Sequence, residues 1–267
     1  MKKTNKIASI IYITVILLFV YAPILLLFIY SFTTSKTIGT WRGFSLENYK
    51  NLFTIDKLRS VFFDTFLLAI LASTIATLLG TLGAIGIFYN KKWLGKFVKT
   101  SSQIPVINAE IVTAISLALV FSIVSMGKSY IAMLIGHVVL CAPFVVLSVL
   151  PKLKQMDGSL YEAALDLGAT PMQALFKVIL PEILPGIISG FMLAITLSLD
   201  DYMITAYTKP SSFESISTYV FGAMKKPKNA YFAELRAMSS VLLVIMIAVV
   251  LIMNFVKKND KNNVKGV

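Results

Sequence analysis

The chain has 267 residues, 57% of them hydrophobic, a mean hydropathy of +0.80 and a formal net charge of +12. Soluble domains hold roughly 45–50% apolar residues, so a water-soluble globule is excluded and an integral membrane protein is indicated. The basic residues lie between apolar runs rather than on a soluble face, which excludes a nucleic-acid binder and fits attraction to anionic lipid headgroups; a single cysteine, Cys141, excludes an intramolecular disulfide.

A membrane-spanning helix needs about 20 mainly apolar residues, and six such stretches are predicted, at about residues 8–32, 62–89, 104–124, 130–150, 185–206 and 237–256. The first follows Lys2, Lys3 and Lys6. Its apolar run is far longer than a signal-peptide core, so it is expected to stay as an anchor. Lys91, Lys92, Lys96, Lys99, Lys152, Lys154 and the lysines of the tail fall on the same side as the N-terminus. Positive charge close to span ends sets topology, so both termini are expected in the cytoplasm.

The loop after the first span reads Trp41-Arg42-Gly43-Phe44-Ser45-Leu46-Glu47-Asn48-Tyr49. Such a cluster is either an interfacial aromatic belt or a segment that docks a partner. Gly80, Gly83 and Gly86 give the second span a face that admits a neighbouring helix. The loop at 90–103 is short and basic, hence cytoplasmic. The third span opens with Pro105, Asn108 and Glu110. An acid in a first turn is favoured by the helix dipole, while an acid at this depth is also a candidate for lining a solute path; both readings stand.

Met126-Gly127-Lys128-Ser129 ends like a phosphate-binding loop, but Ser122 occupies the first glycine position of that motif and no strand precedes it. The chain itself is therefore expected to bind no nucleotide. In the fourth span His137 has no second metal-type ligand at helical spacing, so it is read as a hydrogen-bonded bundle residue. Cys141 is read as packing, and Pro143 as a kink.

Ser159–Pro181 is too polar to span and reads as two short helices meeting at Gly168. Ser159 with Glu162, and Thr170 with Gln173, each have the form of a capping box. Pro171 suits a first helical position, Gly168 a left-handed C-terminal cap, and Pro181 and Pro185 are expected to close the second helix. Met172, Leu175, Phe176 and Ile179 form an apolar stripe at helical spacing.

Glu162-Ala163-Ala164, Gly168 and Leu180-Pro181 resemble the EAA loop of ABC importer permeases, EAA-x3-G-x9-I-x-LP, with Val178 where the pattern has Ile. The resemblance implies an all-α integral membrane fold, the six-helix, MetI-like bundle of type I ABC importers. It also implies a single permease domain over 1–267, with the cytoplasmic loop at 151–182. Glu162, Ala163, Ala164, Asp166, Gly168, Leu180 and Pro181 would then couple to an ATPase. The implied partners are a homologous second permease, two cytoplasmic ATPase subunits that hold the ATP, an external solute-binding protein and membrane lipid. No cofactor or metal of the chain's own is implied, and the implied location is the bacterial inner membrane.

In the fifth span Gly186, Gly190, Ala194 and Ser198 recur every four residues, a stripe for close helix packing. At about 100° per residue, Asp201 falls across that stripe and Asp200 to one side, so at least one carboxylate should face the bundle interior. An aspartate at mid-membrane costs about 2.5–3.5 kcal/mol, and water, a basic group of a partner, or a cationic solute would offset it. Ser198-Leu199-Asp200-Asp201 and the Trp41–Tyr49 segment are similar to spermidine/putrescine permeases. That similarity implies a polyamine importer with Asp200, Asp201 and Glu110 as candidate path residues.

A permease for another solute, such as ferric iron, thiamine or molybdate, shares the same loop and remains the alternative. A secondary transporter usually shows internal repeats, which are absent here. No convergent nucleophile, base and orienting group is found, so no catalytic residue is expected. The loop at 207–236, with Lys209, Lys225, Lys226 and Lys228, is either a solvated surface or a contact for the external binding protein. The tail, 257–267, is expected to be disordered.

Overall fold

The computed structural model describes residues 3–35, 39–89, 100, 106–225 and 231–265. The rest of the basic loop at 90–103, Pro105, Lys226 and Lys228 lie outside the described residues. Every regular element among the described residues is helical: α1 (Lys3–Tyr30), α2 (Glu47–Thr54), α3 (Asp56–Tyr89), α4 (Glu110–Ile123), α5 (Tyr130–Gln155), α6 (Ser159–Asp166), α7 (Pro171–Ala174), a π-turn (Leu175–Ile179), α8 (Leu180–Asp200), α9 (Met203–Thr208), α10 (Ile216–Met224) and α11 (Phe232–Lys265).

Five of the six expected spans are long and apolar enough to cross a membrane: Ser9–Tyr30, Asp56–Tyr89, Tyr130–Gln155, Pro171–Asp200 and Phe232–Asn254. The third is shorter. α4 has 14 residues, about 21 Å of helix at 1.5 Å per residue, because Ala109 is extended (ψ 133°) and caps it just ahead of Glu110. The fifth starts earlier than expected and ends at Asp200 rather than 206, where Asp201 leaves the helical conformation. The tail is not irregular: α11 runs to Lys265, since adding residues to an existing helix avoids the cost of a new nucleus.

The chain divides into two compact units, Met1–Phe62 with Val220–Val244, and Phe63–Tyr219 with Ile245–Val267. In the first, the buried Asn48 on α2 donates both amide hydrogens, to Ser31 O (2.9 Å) and Thr33 O (2.8 Å). It thereby satisfies carbonyls released where α1 ends. Phe32 stacks on Phe44 and tilts against Tyr49, with centroids 5.3 and 5.2 Å apart, and Asn51 donates to Glu234 on α11. The Trp41–Tyr49 segment is thus folded back on the end of α1.

In the second unit α5 packs along α8, and small residues set the distance. Gly186, Gly190, Ala194 and Ser198, the stripe at every fourth position, are all buried. Val145 of α5 lies between two glycines: a Cβ on Gly80 of α3 would meet Val145 Cβ at 2.7 Å, and one on Gly190 would meet Val145 Cα at 3.3 Å. Lipid is as apolar as a leucine side chain, so close packing rather than hydrophobic transfer holds these helices together. Gly83 is a looser neighbour of Val146, and Gly86 has nothing within 4 Å. We expect Gly80→Ala to force α3 and α5 apart and destabilise the purified protein by about 1–3 kcal/mol, read as a lowered Tm in detergent. Gly86→Ala should leave Tm unchanged or raise it; equal behaviour of the two variants would contradict this packing.

Candidate functional site

Two regions carry the candidate residues, and one helix joins them. The first is the polar loop. α6 does not begin with the expected Ser159–Glu162 box: Gly158 is already in the right-handed helical region, and no side chain caps through Ser159. Asp157 takes that part instead, its Oδ1 accepting the Ser159 N–H at 3.0 Å. This bond holds the Asp157 carboxyl below its usual range. A carboxylate two residues ahead offers a charged acceptor to the helix N-terminus, and so displaces the hydroxyl.

The other local expectations describe the loop as it stands. Gly168 has φ +86°, its N–H donates to Leu165 O and that of Ala169 to Ala164 O, which is the Schellman pattern. The Thr170 box is complete, with Gln173 N–H to Thr170 Oγ1 (3.3 Å) and Thr170 N–H to Gln173 Oε1 (3.0 Å), and Pro171 follows it.

Pro181 and Pro185 do not close the second helix; both lie inside α8. A proline ring collides with the carbonyl four residues back, and for Pro181 that residue is Lys177, inside the π-turn. There the Leu180 N–H reaches Leu175 O, five residues back, so the turn widens where the ring needs room. Helix therefore continues from Pro171 to Asp200. The π-turn also splits the expected stripe. Ala174, Ile179 and Ile183 are buried, stepping by five and then four, while Met172 and Phe176 are exposed. Leu175 is half-buried. Leu167, at 90% exposure, joins Met172 and Phe176 as the apolar side chains the loop presents outward. Glu162, Ala163, Asp166, Gly168 and Pro181 are exposed, Leu180 is half-buried and Ala164 is buried against the bundle.

The second region is the end of α8. Asp201 is buried (2% exposed), and its carboxylate is hydrogen-bonded within the chain. Its Oδ1 accepts the Ile204 N–H (3.1 Å), and its Oδ2 accepts the Thr205 N–H (2.8 Å) and hydroxyl (2.7 Å). The carboxylate thus caps α9 while Ser217 donates its hydroxyl to Asp201 O at 2.6 Å. Behind it stands His137, with Nε2 2.9 Å from Thr205 Oγ1 and Nδ1 2.8 Å from Ser198 Oγ. Because the Thr205 hydroxyl hydrogen goes to Asp201, Nε2 must be the donor, and in the neutral ring Nδ1 accepts from Ser198. His137 is a hydrogen-bonded bundle residue; Ser198 and Thr205 are its partners, and the sequence singles out only Ser198, as a small residue.

The three candidate acids converge. Glu110, the first residue of α4, lies close enough to Asp201 and Asp200 for both carboxylates to act on it. Asp201 is enclosed, whereas Asp200 and Glu110 are exposed. Like charges this close repel, so the exposed pair favours a cation beside it. The nucleotide-like segment is a turn: Gly127 has positive φ, and Ser129 caps α5 by accepting the Ala132 N–H.

A family model for the binding-protein-dependent transport system inner membrane component matches residues 76–259. The chain is 32% identical over 225 residues to the spermidine/putrescine transport system permease protein PotC of Haemophilus influenzae, covering 84% of this chain and 85% of that protein. Against PotC of Escherichia coli K12 the identity is 30% over 261 residues, 97% of this chain and 94% of that one. The putrescine transport system permease protein PotI of the same organism is 32% identical over 223 residues, covering 80% and 77%. Among solved structures, a chain of a bacterial alginate ABC transporter in complex with an alginate pentasaccharide-bound periplasmic protein matches with TM-score 0.68 at 16% identity, covering 95% of this chain and 94% of that chain. The inward-facing MetNI methionine ABC transporter matches with TM-score 0.63 at 16% identity, covering 76% and 95%. At such identities the structures speak to fold, and that fold is the all-helical type I importer permease. By sequence match over most of its length, the chain belongs to the family of binding-protein-dependent transport system inner membrane components.

Proposed function

We propose that this permease subunit imports polyamines of the spermidine/putrescine kind, and that ATP is hydrolysed not by the chain but by a separate cytoplasmic ATPase engaged through the Ser159–Pro181 loop. The observation that carries the reading is the continuous helix from Pro171 to Asp200, which joins the loop to the acid cluster. The names of the relatives support the solute class, and the exposed carboxylates of Glu110 and Asp200 suit a polycation. Ferric iron and thiamine, also cationic, are the alternatives that this charge leaves open; molybdate, an anion, is supported by the shared loop alone.

In this reading Leu167, Met172 and Phe176 seat in a groove of the ATPase, with Glu162 and Asp166 at its rim. Gly168 supplies the bend between α6 and α7. Closure of two ATPases moves the loop as a rigid body and shifts the bundle between inward-open and outward-open states, a change in the relative stability of two conformations. Asp201 positions Asp200 by fixing the helix end; Asp200 and Glu110 attract the solute at a path shared with a homologous second permease. An external binding protein delivers the solute, both termini lie in the cytoplasm, and the chain uses no cofactor of its own.

Gly168→Pro, which forbids positive φ and removes the N–H given to Leu165 O, is expected to abolish ATP-driven uptake in proteoliposomes while membrane insertion is retained; normal uptake would refute the loop's role. Asp200→Asn and Glu110→Gln should each lower polyamine uptake roughly tenfold, about 1.4 kcal/mol of lost attraction, with Tm unchanged. Asp201→Asn should instead lower Tm, since it weakens the cap on α9. If uptake is indifferent to both exposed acids, the polycation assignment fails while the coupling role stands.

A further inference from the structure

Arg236 is a buried charge with incomplete hydrogen bonding. It lies on α11, 6% exposed, and Nη2 donates to Ser35 O. Nε and Nη1 are buried and have no hydrogen-bond partner. Tyr30 offers its ring face with the centroid 6.0 Å from the guanidinium carbon. Glu234, the closest acid on α11, accepts from Asn51 through Oε1. A buried guanidinium with two idle donors is a costly arrangement unless an anion completes it.

The same residue borders a cavity of about 320 Å³ whose other walls are mostly apolar, among them Pro23, Leu26 and Leu27 of α1, Met224 of α10, and Leu235 of α11, with Ser239 beside them. Both observations fall at the end of the first and last spans, beside the interfacial aromatic segment. An occupant must therefore pair an anionic group, held by Arg236 through Nε and Nη1, with a hydrocarbon chain lying along Leu26 and Leu235. Guanidinium and phosphate match in a two-bond fork, and the only abundant molecule at this depth with both parts is a phospholipid.

We propose that the cavity is a binding site for one anionic phospholipid, its phosphodiester on Arg236 and an acyl chain against Pro23, Leu26, Leu27 and Leu235. The bound lipid completes the hydrogen bonding of Arg236 and seals α1 to α11. The site is separate from the acid cluster and from the loop, and it stands whether or not the solute is a polyamine.

The test uses the full-length chain with the subunits that accompany it, in nanodiscs containing a trace of phosphatidylglycerol that carries a photoreactive group on its acyl chain. Cross-linked peptides from 23–30 and 232–239 are expected. Excess unlabelled phosphatidylglycerol should suppress them, whereas phosphatidylcholine or inorganic phosphate should not. Arg236→Gln should reduce labelling roughly tenfold, the worth of one charged hydrogen bond. Leu26→Trp, which fills the cavity and keeps the cation, should do the same, and it decides the matter if Arg236→Gln fails to fold. Equal competition by phosphatidylcholine, suppression by free phosphate, or unchanged labelling in the folded variants would overturn the site.

Discussion

One unbroken helix sets the terms for everything else in this protein. From Pro171 to Asp200 it runs for 30 residues, about 45 Å at 1.5 Å per residue, through two prolines that would ordinarily stop it. Inside hydrocarbon each unsatisfied backbone group costs several kcal/mol, so the chain can stop only where side chains take over the hydrogen bonding. The Thr170–Gln173 box does this at one end, and at the other the Asp201 carboxylate does it for α9, accepting the Ile204 and Thr205 N–H groups as the chain leaves α8. The ends of the helix are therefore also the two candidate regions.

Around that strut the packing is close and nearly incompressible. Gly186 and Gly190 let α5 lie against it, and Val145 is held between Gly190 and Gly80 with little room for a further methyl group. Helices in such contact move as bodies rather than bend, because a dense interior transmits strain instead of absorbing it. A displacement at Gly168 thus has a mechanical route to Asp200. The His137–Thr205–Asp201 chain of hydrogen bonds ties the far end of that route to α5 and α9.

Much of this was legible in the sequence where the physics is local. Gly168, the Thr170–Gln173 box, Pro171 and the every-fourth small residues of α8 depend on neighbours within a turn or two, and they stand in the structure as read. The departures come from competition or from distance. Asp157 out-competes Ser159 for a cap because a carboxylate is the stronger acceptor. The two prolines look like stops in the sequence because the wider turn at Leu175–Ile179 has no signature in composition. Asp201 looked as though it needed a partner from outside the chain, since Ile204 and Thr205 become available to it only once the helix breaks, and His137 lies far away in sequence. The acid cluster itself was half visible: Asp200 and Asp201 were marked by their depth, while their meeting with Glu110 is a product of tertiary structure.

The central claim is that the exposed turn around Ala163 meets a separate motor protein. Ala163→Cys, at an exposed position while the native Cys141 is buried, tests it directly by disulfide or short-spacer cross-linking in assembled transporter. The account predicts a covalent adduct with the ATPase subunit whose yield changes between nucleotide-free and nucleotide-bound states. Adducts that never include that subunit, or labelling of this cysteine from outside intact cells, would contradict it.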